Sequence, residues 1–362
     1  MRFAFSDEYK QIALGDYVIQ KGRRAKGNEL KYPAFSINNQ TGFSEQTEQW
    51  GEASYTKLEK NGYKVIECGD FAYNPARINV GSIGLYNKAN PCIVSSLYVC
   101  FSTKQSLNPN YLFKYLKSDK FNKKVLSTQE GGVRAYFFFD KFQKTKMWIP
   151  SLEEQQKVGK FLNIIDERIE TQNKILNGLE SLRFSLSYIL FRHLDRYSKL
   201  EDIANIIKGK QINGDILNDD FSYPVYNGGI NASGFYNKFN SENCITISEG
   251  GNSCGTVRFV KDKFWSGGHN YVIVCKNGII DQFLYYYLKH NENKIMSLRV
   301  GSGLPNIQKS SLSEFKIKIT NIEEQKKIAA KLGAIDSKIN NEKKLLELFQ
   351  KQKIFLLNNL FI

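Results

Sequence analysis

No run of this sequence approaches the roughly 18 to 20 uninterrupted apolar residues that a membrane span requires. The start, Met1-Arg2-Phe3-Ala4-Phe5-Ser6-Asp7-Glu8, meets acidic residues too early for a secretory signal, so a cytoplasmic protein is expected. Cysteine is sparse: none of Cys68, Cys92, Cys100, Cys244, Cys254 and Cys275 falls in a C-x-x-C pair. That spacing argues against a zinc site and for reduced, buried small hydrophobes. The histidines His193, His269 and His290 are scattered, and only His269, in Trp265-Ser266-Gly267-Gly268-His269-Asn270-Tyr271, has a distinctive setting. With no Cys or carboxylate at catalytic spacing it reads as a turn or contact residue rather than a base.

Catalytic machinery is missing as well. There is no G-x-x-x-x-G-K-[ST] phosphate loop, so ATP-driven translocation is not encoded, and Gly301-Ser302-Gly303 lacks the third glycine of a dinucleotide loop. Tyr73-Asn74-Pro75-Ala76-Arg77 shares only its Asn-Pro with an amino-methyltransferase signature and reads as a turn. Glu8-Tyr9-Lys10, Glu314-Phe315-Lys316 and Glu324-Gln325-Lys326 match the Glu-x-Lys element of metal nucleases, but such triplets arise by chance in a Lys/Glu-rich chain. The last lies at a helix start, where the macrodipole favours Glu. The expectation is a non-catalytic chain with no cofactor and no metal.

What is present in excess is positive charge. Fifty-one Lys and Arg against 36 Asp and Glu leave +15 over 362 residues, which points to a polyanionic partner. The excess is uneven: +9 on residues 1–148, zero on 149–197, and +3 on each of 198–318 and 319–362. Aromatic, Asn, Ser and Gly residues accompany it on the globular parts and can supply stacking and hydrogen bonds.

The most informative feature is a repeat. Ile149-Pro150-Ser151-Leu152-Glu153-Glu154-Gln155-Gln156-Lys157-Val158 returns as Ile319-Thr320-Asn321-Ile322-Glu323-Glu324-Gln325-Lys326-Lys327-Ile328, an offset of 170 that holds without a gap to the end of the chain. Leu162, Ile165, Asp166, Ile169, Lys174, Leu176, Leu186, Leu190 and Phe191 thus match Leu332, Ile335, Asp336, Ile339, Lys344, Leu346, Leu356, Leu360 and Phe361. The apolar positions Val158, Leu162, Ile165, Ile169, Leu176, Leu179, Leu186 and Leu190 recur in steps of four and three, as do Ile328, Leu332, Ile335, Ile339, Leu346, Phe349, Leu356 and Leu360. This is a heptad seam on a long helix. Polar residues break it at equal positions, Gln172 and Arg183 against Glu342 and Lys353, which fits a pairing of the two helices because polar groups in a seam set register. At ~1.5 Å per residue, 153–191 would span on the order of 58 Å, a spacer rather than a core element, with a local bend plausible at Gly178.

The segments ahead of each helix, 1–148 and 193–318, are Gly-, Asn- and Tyr-rich with short β-like runs at 64–66, 93–94, 97–101, 244–248, 257–260, 271–275 and 314–319. Each adds a helix-like stretch, 110–117 behind Pro109 and 281–289, and a late glycine turn, Gly131-Gly132-Val133-Arg134 or Gly301-Ser302-Gly303-Leu304. The chain therefore reads as a duplication of one α+β domain plus helix, with domains at 1–148 and 193–318 and helical spacers at 149–192 and 319–362.

On these residues the sequence resembles the specificity (S) subunit of type I restriction-modification systems. Its strongest motif, Ile-Pro-x-x-x-Glu-Gln-x-Lys leading into Leu-x-x-Ile-Asp-x-x-Ile, stands at 149–169 and, with Thr320 in place of Pro, at 319–339. Also similar are Tyr223-Pro224-Val225-Tyr226-Asn227-Gly228-Gly229-Ile230, Ile245-Thr246-Ile247-Ser248, Cys254-Gly255-Thr256-Val257 and Gly268-His269-Asn270-Tyr271-Val272-Ile273. The first domain departs from this pattern with Tyr32-Pro33-Ala34-Phe35-Ser36 and Phe71-Ala72-Tyr73-Asn74-Pro75, so the two domains are expected to read different half-sites. The resemblance implies two diverged α+β target recognition domains alternating with two long helices that pair as an antiparallel coiled coil, in a pseudo-twofold duplication. It implies double-stranded DNA as ligand, with an asymmetric two-part target and an unspecified gap. It also implies docking of two methyltransferase (M) subunits, which carry S-adenosylmethionine, and of restriction (R) subunits. Candidate DNA contacts, chosen from basic or Gly-flanked stretches able to donate to bases or phosphates, are Arg23, Arg24, Lys26, Arg77 and Arg134 in the first domain. In the second they are Lys210, Asn227, Asn252, Ser253, His269 and Arg299. The alternative is a stand-alone nucleic-acid-binding protein whose helices only dimerise it.

Overall fold

The computed structural model describes residues 9–39, 42–46, 60–128, 136–301, 303 and 305–361. They form two compact units, Met1–Gln172 with Leu345–Ile362, and Asn173–Lys344.

In the first unit, β1 (Lys10–Ala13) pairs antiparallel with β10 (Lys146–Ile149). One four-stranded sheet runs β2 (Val18–Lys21), β9 (Val99–Thr103), β6 (Phe71–Tyr73), β7 (Ile83–Leu85), and another β4 (Gly42–Glu45), β3 (Ala34–Asn38), β8 (Cys92–Val94), β5 (Lys64–Ile66). Three short helices follow, α1 (Pro109–Leu116), α2 (Asp119–Ser127) and α3 (Phe139–Gln143), ahead of the long α4 (Leu152–Arg192). Local chemistry explains the start of α1. Pro109 occupies a position whose N–H would have no helical partner, and the Asn108 side chain accepts the Tyr111 N–H at 3.0 Å.

The second unit repeats this plan. β11 (Arg196–Lys199) leads through α5 (Leu200–Ile203) into β12 (Ala204–Lys208), followed by β13 (Tyr223–Tyr226), β14 (Phe235–Tyr236), β15 (Ser241–Ser248), β16 (Val257–Ser266) and β17 (Asn270–Cys275). Then come α6 (Asp281–His290), α7 (Glu292–Met296), α8 (Lys309–Ser313), β18 (Lys316–Ile319) and the long α9 (Ile322–Leu360). β11 pairs with β18 as β1 pairs with β10, and β12 with β17 as β2 with β9. The other strands differ: one six-stranded sheet in the order β12, β17, β15, β16, β13, β14, with β13 parallel to β16.

The strand expectations hold with shifted ends. The run at 97–101 begins only at Val99, because the Tyr98 N–H closes a turn on Ser95 O at 3.1 Å, and the run at 314–319 begins at Lys316. Asn74 forms the expected turn, its side chain accepting the Ala76 N–H at 3.0 Å. All six cysteines are free thiols, but Cys68 corrects the expectation of burial: it is exposed, on the turn between β5 and β6, whereas Cys92, Cys100, Cys244 and Cys254 are buried and Cys275 is half-buried.

The division into units cuts both long helices, so each unit contains the start of one and the end of the other. Within the first unit, Asp166 meets Lys353 at 2.6 Å and the Arg168 guanidinium lies 6.0 Å from the Phe349 ring. Within the second, Arg183 meets Asp336 at 2.9 Å and Glu180 meets Lys343 at 3.1 Å. In both, one helix number rises as the other falls, so the segments pair antiparallel. Val158, Leu162, Ile165, Leu176, Ile328, Leu332, Ile339, Leu356 and Leu360 of the seam are buried. Ile169, Leu179, Leu186, Leu190, Ile335, Leu346 and Phe349 are half-buried. The seam breaks Gln172 and Glu342 are themselves buried, and Gly178 sits within the unbroken α4.

The repeated motif is explained by what it holds. The Gln155 side chain, 1% exposed, accepts the N–H of Asn108, the residue capping α1, at 2.9 Å and donates to Pro150 O at 3.0 Å. Gln325, also 1% exposed, accepts the N–H of Ile280, the residue capping α6, at 2.9 Å and donates to Thr320 O at 2.8 Å. At the far ends, Phe361 stands edge-on to Tyr111 and Tyr115 of α1, and Phe191 edge-on to Phe283 and Tyr287 of α6.

Asp166 also accepts from the buried Lys114 of α1. Burial alone would raise the Asp166 carboxyl, but the Lys114 and Lys353 ammonium groups outweigh it and hold it below the ordinary carboxylate range. Its stabilising contribution is therefore complete above that range and is lost as pH falls through the lowered value. Asp166→Asn is expected to destabilise the chain at neutral pH by roughly 1–2 kcal/mol, since it strands the Lys114 ammonium and the pair is partly screened by solvent. In urea unfolding the gap between variant and parent should close below about pH 4.

Candidate nucleic-acid interface

In the second unit four loops meet around a concavity of about 450 Å³. Asn227, Gly228 and Gly229 follow β13; Gly250 to Ser253 join β15 to β16; His269 lies between β16 and β17; Pro305 and Asn306 precede α8. Backbone and buried side chains knit these loops. The Glu249 N–H donates to His269 O at 2.9 Å, the Gly251 N–H to Pro305 O at 3.0 Å and the His269 N–H to the Asn227 side-chain oxygen at 3.3 Å. The buried Ser248 hydroxyl donates to Gly228 O at 2.5 Å. Gly228 has φ +88°, and a Cβ there would stand 3.0 Å from His269 O, so both backbone angle and space require glycine.

Arg258 of β16 braces the rim. Its guanidinium donates to Gly229 O at 2.6 Å and Ile230 O at 2.9 Å and lies 4.7 Å from the centre of the Tyr226 ring. Below the rim, Glu249 accepts from Lys208 at 2.7 Å and from the Tyr271 hydroxyl at 3.0 Å, with His269 Nδ1 at 3.9 Å. The His269 side chain remains 62% exposed.

Four of the six candidates in this domain, Asn227, Asn252, Ser253 and His269, line the concavity. The other two flank it. The Lys210 N–H donates to Ser266 O at 2.9 Å, and the Trp265 indole to Lys210 O at 3.0 Å, which ties exposed Lys210 to the turn that carries His269. Gly209 allows this approach, because a Cβ there would fall 2.1 Å from Gly267 O. Exposed Arg299 precedes Val300, which bridges to Asn306 on the cavity wall.

The first-domain candidates gather less. Arg23, Arg24 and Lys26 are exposed on one segment, bonded through its backbone to β5 and the residue before it. Arg23 is engaged by Glu29 and, at 3.4 Å, by Glu67. Arg77 is exposed on the separate turn after β6, and Arg134 lies outside the described residues. Among the described residues no group of three or more His, Cys, Asp or Glu could hold a metal ion. Of the Glu-x-Lys triplets, Glu314 is taken by Lys199 at 2.8 Å, while Glu8 lies outside the described residues. No helix among them is long and apolar enough to cross a membrane.

The sequence profile of the type I restriction modification DNA specificity domain matches residues 7–181 and again 196–349. The chain belongs to that family. Two proteins provisionally named type I specificity subunits are similar to this specificity chain: one from Mycoplasma genitalium, 31% identical over 177 residues, and one from Mycoplasma pneumoniae, 34% identical over 166. Each match covers 45% of this chain and 45% or 44% of the relative, so the chain spans under half the length of those relatives. A protein provisionally named a type I restriction enzyme specificity subunit from Methanocaldococcus jannaschii is 23% identical over 94% of this chain and 89% of its own. In fold, the chain resembles the crystal structure of a type I system S subunit from M. genitalium, with a TM-score of 0.73 and 18% identity over 100% of this chain and 98% of that one.

Reasoning from sequence missed Ser248, Glu249, Arg258, Pro305 and Asn306, which shape the concavity of this specificity domain. Only Ser248, ending an apolar strand ahead of Gly250 and Gly251, carried a local signal. Arg258→Met should free the rim: hydrogen exchange at residues 227–230 is expected to quicken about tenfold, and unchanged exchange would mean the loop holds itself.

Proposed function

We propose that this chain is the DNA-recognition subunit of a type I restriction-modification complex, non-catalytic itself, and that each recognition domain reads one half of an asymmetric two-part site. The double match to one DNA specificity profile carries this reading, because a duplicated reader implies two separate contacts. In the second domain the concavity offers Asn227, Asn252, Ser253 and His269, whose amides, hydroxyl and imidazole can pair with base edges. Lys210 and Arg299 beside it suit phosphates. In the first domain Arg24, Lys26, Arg77 and Arg134 are the corresponding candidates, with Arg23 partly neutralised by its glutamates. A cytoplasmic location follows from this role.

The helices set the gap between half-sites. Inserting four residues, one helical turn, beside Gly178 should lengthen the spacer by ~6 Å and change the gap by about one to two base pairs. Methylome sequencing of the insertion variant reads this directly; an unchanged gap with retained half-sites would contradict the ruler.

The same helices dock the M subunits, with R subunits joining that core. Ile175 and Phe184 of α4 and their repeat counterparts Leu345 and Ile354 of α9 are all exposed, beside Leu182, Tyr188, Leu348 and Phe355. The two apolar positions shared by both repeats suit two copies of one partner. Leu345→Lys with Ile354→Lys is expected to reduce the M subunits that co-purify with the chain from two to one; retention of both would place the docking surface elsewhere.

A further inference from the structure

We propose that the first unit grips the DNA backbone through a patch of four lysines, two of which have no lysine counterpart in the second. This rests on the DNA-recognition reading above and names a contact it does not assign. A concavity of about 540 Å³ is lined by Lys124 at the end of α2, Lys141 on α3, Lys144 after it and Lys146 in β10. The hydroxyls of Ser127, Thr128 and Thr145 complete it, and among the described residues no carboxylate lines it. Lys124 donates to the backbone carbonyl of Lys146, and Lys141 to that of Thr128 at 3.1 Å, so both ammonium groups lean on neutral oxygens. Burial, with Lys120 nearby, lowers Lys124 from the ordinary lysine range, so an arriving anion would relieve an existing cost.

Lysine ammonium groups and hydroxyls hold phosphate oxygens without reading bases, whereas the planar fork of arginine is the group suited to guanine. The repeat shows that the patch is not a general feature of the fold. α3 and α8, and β10 and β18, correspond at the offset of 170, yet Lys141 becomes Ser311, Lys144 becomes Glu314 and Thr145 becomes Phe315, while Lys124 and Lys146 fall on Lys294 and Lys316. Glu314 is moreover closed off by Lys199. The patch thus locates part of the excess of +9 on residues 1–148 over +3 on 198–318.

The test is the salt dependence of binding of the full chain to a random-sequence DNA duplex, between about 50 and 200 mM salt. Lys141→Gln with Lys144→Gln should weaken binding and lower the slope of log K against log salt by about two. Lys309→Gln with Lys316→Gln in the second unit should leave the slope close to that of the parent. Methylation by the complex carrying the first-unit variant should keep the same bases in both half-sites. An unchanged slope, an altered base preference, or loss of a co-purifying protein subunit with the slope intact would each overturn the backbone assignment. Failure of the parent chain to bind duplex DNA would instead count against the recognition function itself.

Discussion

In each unit one helix, α1 or α6, is clamped from two directions at once. The start of one long helix supplies a buried glutamine to the N-cap and an aspartate one side of the next turns; the end of the other supplies a cation to that aspartate and a phenylalanine between two aromatic rings. Every member occurs twice at the repeat offset: Gln155 and Gln325, Asp166 and Asp336, Arg183 and Lys353, Phe191 and Phe361. The consequence is that neither long helix belongs to one domain. Releasing either long helix would break the ion pair that joins the two, Asp166–Lys353 or Arg183–Asp336, together with the glutamine cap or the phenylalanine contact on α1 or α6. This is the physical basis on which one pair of helices serves both specificity domains.

How much of this was legible from sequence depended on period and repetition. The heptad seam and the polar breaks at Arg183 and Lys353 announced two paired helices, since a periodic pattern sustained for some forty residues has few other solutions. Their ion-pair partners, the motif aspartates, were in view, yet which aspartate faced which cation needed the antiparallel register. The role of Gln155 and Gln325 was hidden because capping the cap of another helix is a tertiary contact with no local signature. Short strands such as Lys10–Ala13 and Phe71–Tyr73 were equally hard to see, being too brief to show alternation.

The candidate binding surfaces divide in the same way. The loops around His269 are Gly-rich, and glycine marked them, because tight backbone approach at Gly209 and Gly228 leaves that trace in the sequence. Arg258 and Glu249 work by bracing those loops from beneath and look like ordinary strand and turn residues. Residues 1–148 and 198–318 differ in sheet layout and charge although the helices that clamp them repeat, which is the pattern expected when the scaffold is constrained while exposed loops are free to diverge.

The central claim is that one duplicated chain supplies both halves of a DNA address. It is tested most directly by sequencing the methylated sites of cells that express the chain with the M subunits it co-purifies with, beside cells that express the M subunits alone. A two-part motif with a fixed gap, present only when the chain is present, is the predicted result. A single uninterrupted motif, or the same methylation without the chain, would contradict it.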